Sequence, residues 1–289
     1  MRTNSEGIRM KKYFEVFRLG FKMQIVWRFD VAMTMAATVG RIVAAWILWQ
    51  AIFIGKTRVG GFTLEGMLSY YLVASIISSI DFSRNICGEV SELIRAGRFS
   101  GHMAAPMDPM GFFCSKSIGE SAFHLGFSVV AAAACAFMLR LGASAPGVAA
   151  SIAPGVAATL APVAARLLLA AAMAALGLVF MAIYQYAIGI LAFKFLDIDF
   201  LMYMLESVNG FATGAFIPLS LLPGAALGAL RFLPFTHVVY TPSMLLAGQA
   251  GAREGLFGLA ALAAWTAAAY AAARFAYGRL RVRYDGVGI

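Results

Sequence analysis

Residues 210–248 read GFATGAFIPLSLLPGAALGALRFLPFTHVVYTPSMLLAG, and this stretch decides the class of fold. It is too apolar for a surface loop, and four of the chain's nine prolines interrupt it: Pro218, Pro223, Pro234 and Pro242. Irregular backbone at membrane depth survives only where protein or a water-filled cavity satisfies its polar groups. Transport proteins build gates and binding sites from such broken elements, so the stretch predicts a protein that moves a substrate.

The composition of the whole chain indicates a membrane protein. Its 289 residues are 61% hydrophobic and 13% charged, and the mean hydropathy of +0.81 lies far outside the range of soluble domains. A helix needs about 20 apolar residues to span a bilayer. The apolar stretches therefore predict an all-α polytopic membrane fold with six transmembrane helices, at residues 31–54, 65–87, 110–140, 163–193, 200–221 and 254–277.

The chain divides into two predicted parts. Residues 1–28 form a basic amphipathic helix that lies in the membrane interface on the cytoplasmic side, and residues 29–289 form a single six-helix transmembrane domain. The apolar residues that recur at helical spacing in the first part are Phe14, Phe17, Phe21 and Ile25. We find no hydrophilic stretch long enough for a separate soluble domain, so any ATP-binding part must lie on another chain.

Lysine and arginine residues predict the orientation. Sixteen of the 23 fall on one side of the predicted spans and six on the other, while Arg41 lies within the first span. The positive-inside rule then places both termini in the cytoplasm. The net charge of +9 reflects this bias, and the chain shows no basic patch of the nucleic-acid-binding kind. The richness in Ala, Gly and Arg indicates a bacterial protein, and hence a multi-pass protein of the cytoplasmic (inner) membrane.

The connection between the second and third spans, residues 88–109, reads GEVSELIRAGRFSGHMAAPMDP. Its charged residues mark one side of a short helix, its apolar residues mark the other, and Gly and Pro residues flank it. A mixed-charge helix under the membrane suits docking to a soluble partner, and the alternative is a solvated loop. The helix length and its flanking residues favour docking.

Three motifs in this chain resemble those of one family. The run ELIRAGRFSGHMAAP, residues 92–106, resembles the cytoplasmic signature of ABC-2-type exporter permeases, the membrane subunits of ATP-driven exporters. It is most similar to a subfamily with an I-R-x-G element at this place. GGFTLEGMLSYYLV, residues 60–73, resembles the start of that subfamily's second span, and residues 214–248 resemble its P-L … L-P-F end. The three motifs occur in the family's order across nearly the whole chain.

The resemblance implies a half-transporter fold with a coupling helix at residues 89–100 and re-entrant external helices at residues 210–248, between spans five and six. It implies an ABC ATPase subunit as partner, which binds ATP and Mg, and a second permease, identical or homologous; this chain itself would hold no cofactor. Spans one, two and five would line the path. The residues that would couple to the ATPase are Glu89, Glu92, Leu93, Arg95 and Arg98. The residues of an external gate would be Pro218, Pro223, Pro234 and Phe235.

Polar residues within spans are candidates for function because burying charge in lipid is costly. Lys116, Glu120 and His124 stand four apart on one face of span three. They are either the proton relay of an ion-coupled secondary transporter, which is the alternative function, or a helix contact in which Lys116 and Glu120 pair. We favour the helix contact, since polar groups often join helices in membranes. Glu206 and Asn209 of span five contact either the substrate or a neighbouring helix, and both interpretations stay open.

Two further patterns predict local structure in the spans. Aromatic residues near the predicted external ends are interpreted as an interfacial belt rather than a substrate-stacking site. They are Trp46, Trp49, Tyr70 and Tyr71. Asp81 and Arg84, three residues apart, are expected to pair within one helix.

Enzyme and metal sites have little support in the sequence. The three histidines lie in different segments, and we find no nucleophile–base arrangement or metal-ligand spacing. Gly55-Lys56-Thr57 imitates the end of a phosphate-binding loop, but Gln50 stands where the first glycine of that loop is required. We therefore expect no nucleotide site, no metal and no catalytic residue on this chain.

Overall fold

The structure is a computed structural model. It describes residues 2–80, 83–142, 160–195 and 197–283. The regular structure in these ranges is helical, and the only extended pairing among them is the bridge between Val59 and Phe62. The prediction of an all-α fold is therefore confirmed. The expected pair of Asp81 and Arg84 lies outside the description, because Asp81 falls between two of the ranges.

The helices follow one another with short connections. In chain order they are α1 (Arg2–Val26), α2 (Arg28–Ile52), α3 (Leu64–Ile80), α4 (Arg84–Arg95), α5 (Ser100–Ala104), α6 (Pro109–Gly142), α7 (Leu160–Gly189), α8 (Asp199–Ala212), α9 (Gly224–Leu230), α10 (Pro234–Val238), α11 (Tyr240–Leu246) and α12 (Ala252–Leu280). Short 3₁₀ turns lie at Ile190–Phe193, Leu219–Leu221 and Arg281–Arg283.

Three of the helices are long and apolar enough to cross a membrane, by length and composition, in the part of the chain that is described. They are Phe29–Ile52, Ala164–Phe193 and Ala252–Leu280. The last two, α7 and α12, pack extensively against each other and form the centre of the fold. Helices α3 and α8 have 17 and 14 residues, fewer than the about 20 that a span needs. The later side chains of α6 are not described, so this helix cannot be counted by its composition. The count of six spans stays a prediction.

The end of the second predicted span differs from the expectation. Residues 65–87 were expected to form one helix, but α3 ends at Ile80 and a new helix, α4, begins at Arg84. The physical reason is that the residues after Arg84 are buried against other helices. Ile86, Cys87 and Val90 pack in one cluster with residues of α7 and of the 3₁₀ turn that follows α7. Cys87 therefore belongs to the connecting helix and not to the span.

The fifth predicted span, residues 200–221, is also shorter than expected. Helix α8 ends at Ala212, and Gly214 follows with a φ of +78°, a left-handed conformation that favours glycine. Pro218 and Pro223 then precede a 3₁₀ turn and α9, and Pro234 is the first residue of α10. We call residues 213–248 the broken segment; its division into short helices at prolines matches the prediction.

The N-terminal helix α1 lies along α6, and two glycines make the close approach possible. A Cβ atom on Gly20 would collide with the main-chain carbonyl of Lys116, and one on Gly119 would collide with that of Phe17. Small residues allow helices to approach in this way. Part of the predicted apolar face of α1 stays outside this contact, since Phe14 and Ile25 are 62% and 56% exposed. That exposed part is suited to the membrane interface.

Candidate functional site

Helix α4 is held against the rest of the fold by its apolar face. Val90 is fully buried and Ile94 is nearly so, in a cluster that includes Phe99 and Tyr186. Leu93 is partly buried against the same cluster. The sequence predicted these contacts from the spacing of apolar residues. We call α4 and the residues to which it bonds the α4 junction.

Lys116 of α6 bonds to α4 and not to Glu120. Its Nζ donates to both carboxylate oxygens of Glu89, at 2.6 and 2.8 Å. The predicted pair of Lys116 and Glu120 is therefore wrong as to the partner. The reason is that α4 passes beside α6, so that the lysine reaches a carboxylate 27 residues earlier in the chain. The lysine side chain is 15% exposed and the glutamate 36%, so solvent screens this pair only partly.

A second ion pair joins α4 to the start of α8. The two guanidinium nitrogens of Arg95 donate to the two carboxylate oxygens of Asp199, at 3.3 and 3.4 Å. Arg95 was predicted from the sequence as a coupling residue, and Asp199 was not. The aspartate stands in the first turn of α8, where a negative charge stabilises the helix. This position was the only feature of the sequence that could have indicated Asp199.

Glu92 of α4 and Arg98, which follows the end of that helix, point outward. Arg98 donates to Glu92 at 3.1 Å, and both side chains are about two-thirds exposed, 64% and 69%. Such a surface pair contributes little to stability. Glu92 and Arg98 therefore form an accessible polar tip at the end of α4, while the opposite face of that helix is buried.

One ion pair near the junction escaped the sequence analysis altogether. Arg274 of α12 donates to Asp108 at 2.7 Å, and the other carboxylate oxygen of Asp108 accepts from the main-chain N–H of Gly111. Asp108 thus caps the first turn of α6 while it holds α12. Its partner lies 166 residues further along the chain, a separation that no local pattern reveals.

Glu120 and His124 are both buried on α6, with 7% and 2% of their surface exposed. The Nε2 atom of His124 lies 3.1 Å from the Oε1 atom of Gln24 on α1. This hydrogen bond lies on the face of α6 that α1 covers. The geometry therefore places His124 in a contact between helices, in line with the interpretation that the sequence favoured.

Glu206 and Asn209 of α8 line a cavity of about 320 Å³. Arg41 of α2 lines it too, and a neighbouring cavity of about 730 Å³ shares Arg41 and Glu206. The guanidinium of Arg41 donates to Thr38 of the same helix at 3.1 Å. The structure thus brings together three polar residues from two predicted spans around one half-open cleft.

The broken segment is held by hydrogen bonds to its main-chain carbonyls. Tyr70 and Tyr71 of α3 donate to the carbonyls of Gly214 and Phe216, at 2.8 and 2.7 Å. Such bonds are what irregular backbone needs when water is excluded. The interpretation as an interfacial belt is therefore wrong for these tyrosines, because Tyr70 is fully buried and Tyr71 is only 9% exposed. It is wrong for Trp49 as well, which packs against Tyr71.

Two more side chains support the later part of the broken segment. The indole N–H of Trp265 donates to Phe232 at 2.9 Å, and the Nε2 atom of His237 lies 2.9 Å from the carbonyl oxygen of Arg231. Phe235 packs edge-on against Tyr184 of α7, with ring centroids 5.3 Å apart. The segment is thus anchored on α3, α7 and α12.

The comparison with known families decides the affiliation. The family profile described as ABC-2 family transporter protein matches residues 39–288, which is most of the chain. This chain belongs to the ABC-2 transporter family. It is a multi-pass membrane protein and the permease component of an ABC transporter, a membrane subunit of a kind that is typically non-catalytic. No curated protein and no solved structure matches the chain significantly.

Membership of the ABC-2 family indicates which partners the permease has. An ABC-2 permease works with an ATPase partner in a lipid bilayer. The recognition made from the three motifs is therefore confirmed at the level of the family, and the I-R-x-G subfamily stays a prediction.

Proposed function

We propose that this ABC-2 permease belongs to an ATP-driven exporter of the bacterial cytoplasmic membrane, with both termini in the cytoplasm. A second permease, identical or homologous, completes the path, and a separate ATPase subunit binds ATP and Mg. The observation that carries the proposal is the α4 junction. The exposed tip of Glu92 and Arg98 lies at the end of α4, while Glu89 and Arg95 tie that helix to two other helices.

The contacts of α4 offer a route for motion from the ATPase to the path. A push on the exposed tip is passed to α6 through Glu89 and Lys116, and to α8 through Arg95 and Asp199. Helix α8 carries Glu206 and Asn209, which line the cavity. A shift of α8 therefore changes the cavity wall. Transport follows if the affinity of the cavity for its substrate differs between the two positions of α8.

We further propose that the broken segment forms the external gate. Pro218, Pro223 and Pro234 divide it into short pieces that connect through turns rather than through a continuous helix. Phe235 seats one of these pieces against α7. Short pieces on separate anchors can shift as a group without unwinding a whole span, which is what opening a path requires.

The test of the coupling role compares two double variants. The permease is co-expressed with its ATPase partner, and both co-purification and ATP turnover are measured in lipid nanodiscs. Glu92→Ala with Arg98→Ala removes the exposed tip and should lower stimulated turnover at least about tenfold, with the permease's unfolding free energy changed by less than about 0.5 kcal/mol. The control, Lys56→Ala with Arg58→Ala, removes two exposed charges from the connection between α2 and α3.

Assembly and turnover that match the wild type in the tip variant would contradict the coupling role of α4. The competing function is an ion-coupled secondary transporter, which would use Lys116, Glu120 and His124 as a proton relay. In the structure Lys116 bonds to Glu89 of α4, and His124 bonds to Gln24 of α1. Both bonds are contacts between packed helices. Transport that continues without ATP and collapses with the proton gradient would contradict the exporter proposal.

A further inference from the structure

The cavity beside α8 is a half-open cleft formed by residues of one subunit, and its wall is mainly apolar. Its volume is about 320 Å³, and much of the wall comes from alanines of α7 at positions 171, 174 and 175. Met181 and Val238 add further apolar surface. A space of this size and lining falls at the small end of ligand sites, which are mostly apolar with a few placed polar groups.

Two polar atoms of the cavity wall are buried without a hydrogen-bond partner. They are the Oδ1 atom of Asn209 and the Oγ atom of Ser78. Asn209 as a whole is 7% exposed. Buried polar atoms are nearly always paired, because each unpaired one costs about 1–3 kcal/mol. An amide oxygen can only accept a hydrogen bond, so the group that would satisfy Asn209 is a donor.

The charged residues of the cavity balance each other. Arg41 and Glu206 both line it, and their formal charges cancel. A ligand with a net charge would therefore add an uncompensated charge to a largely apolar space, which is costly. An uncharged ligand avoids this cost and still offers a donor to Asn209.

We propose that this cavity binds an uncharged, largely apolar small molecule that donates a hydrogen bond to Asn209 Oδ1, with Ser78 Oγ as a second partner. The apolar body lies against the alanines of α7, and the donor group, an amide N–H or a hydroxyl, points to α8. As an assignment of the transported substrate's class, this rests on the proposed export function; as a binding site it stands on the cavity alone.

The experiment uses three probes with one rigid apolar body. They are adamantane-1-carboxamide, its N,N-dimethyl derivative, which lacks a donor, and adamantane-1-carboxylate, which is charged. Binding of the tritiated carboxamide to the permease–ATPase complex in nanodiscs is measured without nucleotide, and the other two probes compete with it. We expect saturable binding, with the carboxamide about tenfold tighter than the dimethylamide and the carboxylate weakest.

Two variants and a control locate the donor contact. Asn209→Leu should keep the apolar volume and abolish the preference for the carboxamide over the dimethylamide, and Ser78→Ala should reduce that preference. Tyr186→Phe is the matched control, because its hydroxyl is also buried and unpartnered but does not line the cavity. It should leave the preference unchanged. Thermal unfolding of each variant verifies that it is folded before binding is compared.

Three results would overturn the proposal: no saturable binding of the carboxamide, tighter binding of the carboxylate, or a carboxamide preference that survives Asn209→Leu and Ser78→Ala alike. Each of these can occur while ATP turnover still responds to the exposed tip of α4, so the exporter proposal would stand. Saturable, donor-dependent binding in a permease that shows no ATPase coupling would support the site and contradict the exporter.

Discussion

The α4 junction and the broken segment are held by different kinds of bond. At the α4 junction, partly exposed ion pairs link separate helices, as in Lys116 with Glu89 and Arg95 with Asp199. In the broken segment, neutral side chains donate to main-chain carbonyls, and Tyr70 does so while fully buried. Exposed ion pairs are individually weak and can exchange partners, whereas a buried neutral bond is costly to break. The junction is therefore suited to repeated rearrangement, and the broken segment to moving as a unit.

The largest effect is expected from a methyl group between α1 and α6, beside the junction. Gly119→Ala places a Cβ atom against the main chain of Phe17 and should cost about 2–3 kcal/mol, since overpacking forces the helices apart. Gly126→Ala, on the same helix, meets no atom within 4 Å and should stabilise by up to about 1 kcal/mol through helix propensity. Thermal unfolding in nanodiscs measures both, and equal shifts in the two variants would contradict the close crossing.

The next effect sharpens the claim about the broken segment. Tyr70→Phe leaves the carbonyl of Gly214 without its donor and should cost about 1–3 kcal/mol, a loss that includes the unsatisfied buried oxygen. Tyr270→Phe, a matched change at a side chain that is 48% exposed, should have an effect below about 0.5 kcal/mol. Unfolding of the two variants under the same conditions gives the comparison. A neutral result for Tyr70→Phe would mean that the segment does not depend on this bond.

Breaking an ion pair of the junction should affect coupling more than stability. Lys116→Met removes the partner of Glu89, and we expect a loss of about 1 kcal/mol in unfolding free energy because Glu89 keeps some access to water. Stimulated ATP turnover should fall more steeply, at least about fivefold, since α4 loses its link to α6. The exchange Lys116→Glu with Glu89→Lys should restore part of the turnover. Turnover unchanged by Lys116→Met would contradict the proposed route through α6.

The smallest effect concerns pH at the junction. Burial against Phe99, Phe112 and Phe113 lowers the pKa of His102 below its ordinary value of 6.5; Glu89 opposes this shift and Lys116 adds to it. The unfolded chain then binds the proton more readily than the folded one. Stability is therefore fully present above pH 6.5 and declines as the pH falls from there through the folded pKa.

Unfolding temperatures measured between pH 5 and 8 check this sign. His102→Gln should flatten the acid limb of the profile relative to the wild type. A wild-type permease that becomes more stable as the pH falls below 6.5 would contradict the lowered pKa of the half-buried His102.

Features with a local pattern were accessible from the sequence. The apolar spacing of Val90 and Ile94 predicted the buried face of α4, and Pro218, Pro223 and Pro234 predicted the divisions of the broken segment. In these cases the structural cause lies within a few residues of its effect. The start of α10 at Pro234, for example, follows from proline geometry.

Features that depend on distant partners were not accessible. Asp199 and Asp108 bond to arginines 104 and 166 residues away, and nothing in their neighbourhood indicates which arginine each will meet. Tyr70 was assigned to the membrane interface because amphipathic aromatics are common there, but the same amphipathic character suits a buried donor to a main-chain carbonyl. One-dimensional patterns cannot separate these two environments, since both need an apolar ring and a satisfied hydroxyl.

The glycine crossing of α1 and α6 has a consequence for biosynthesis. Gly20 leaves the ribosome roughly 100 residues before Gly119, and at about 5–20 residues per second α1 waits roughly 5–20 seconds for the surface on which it packs. During that interval the exposed apolar residues of α1, such as Phe14 and Ile25, would favour contact of this helix with the lipid surface. The apolar residues that stay exposed after α1 has packed on α6 would thus hold the nascent helix beside the membrane until α6 is made.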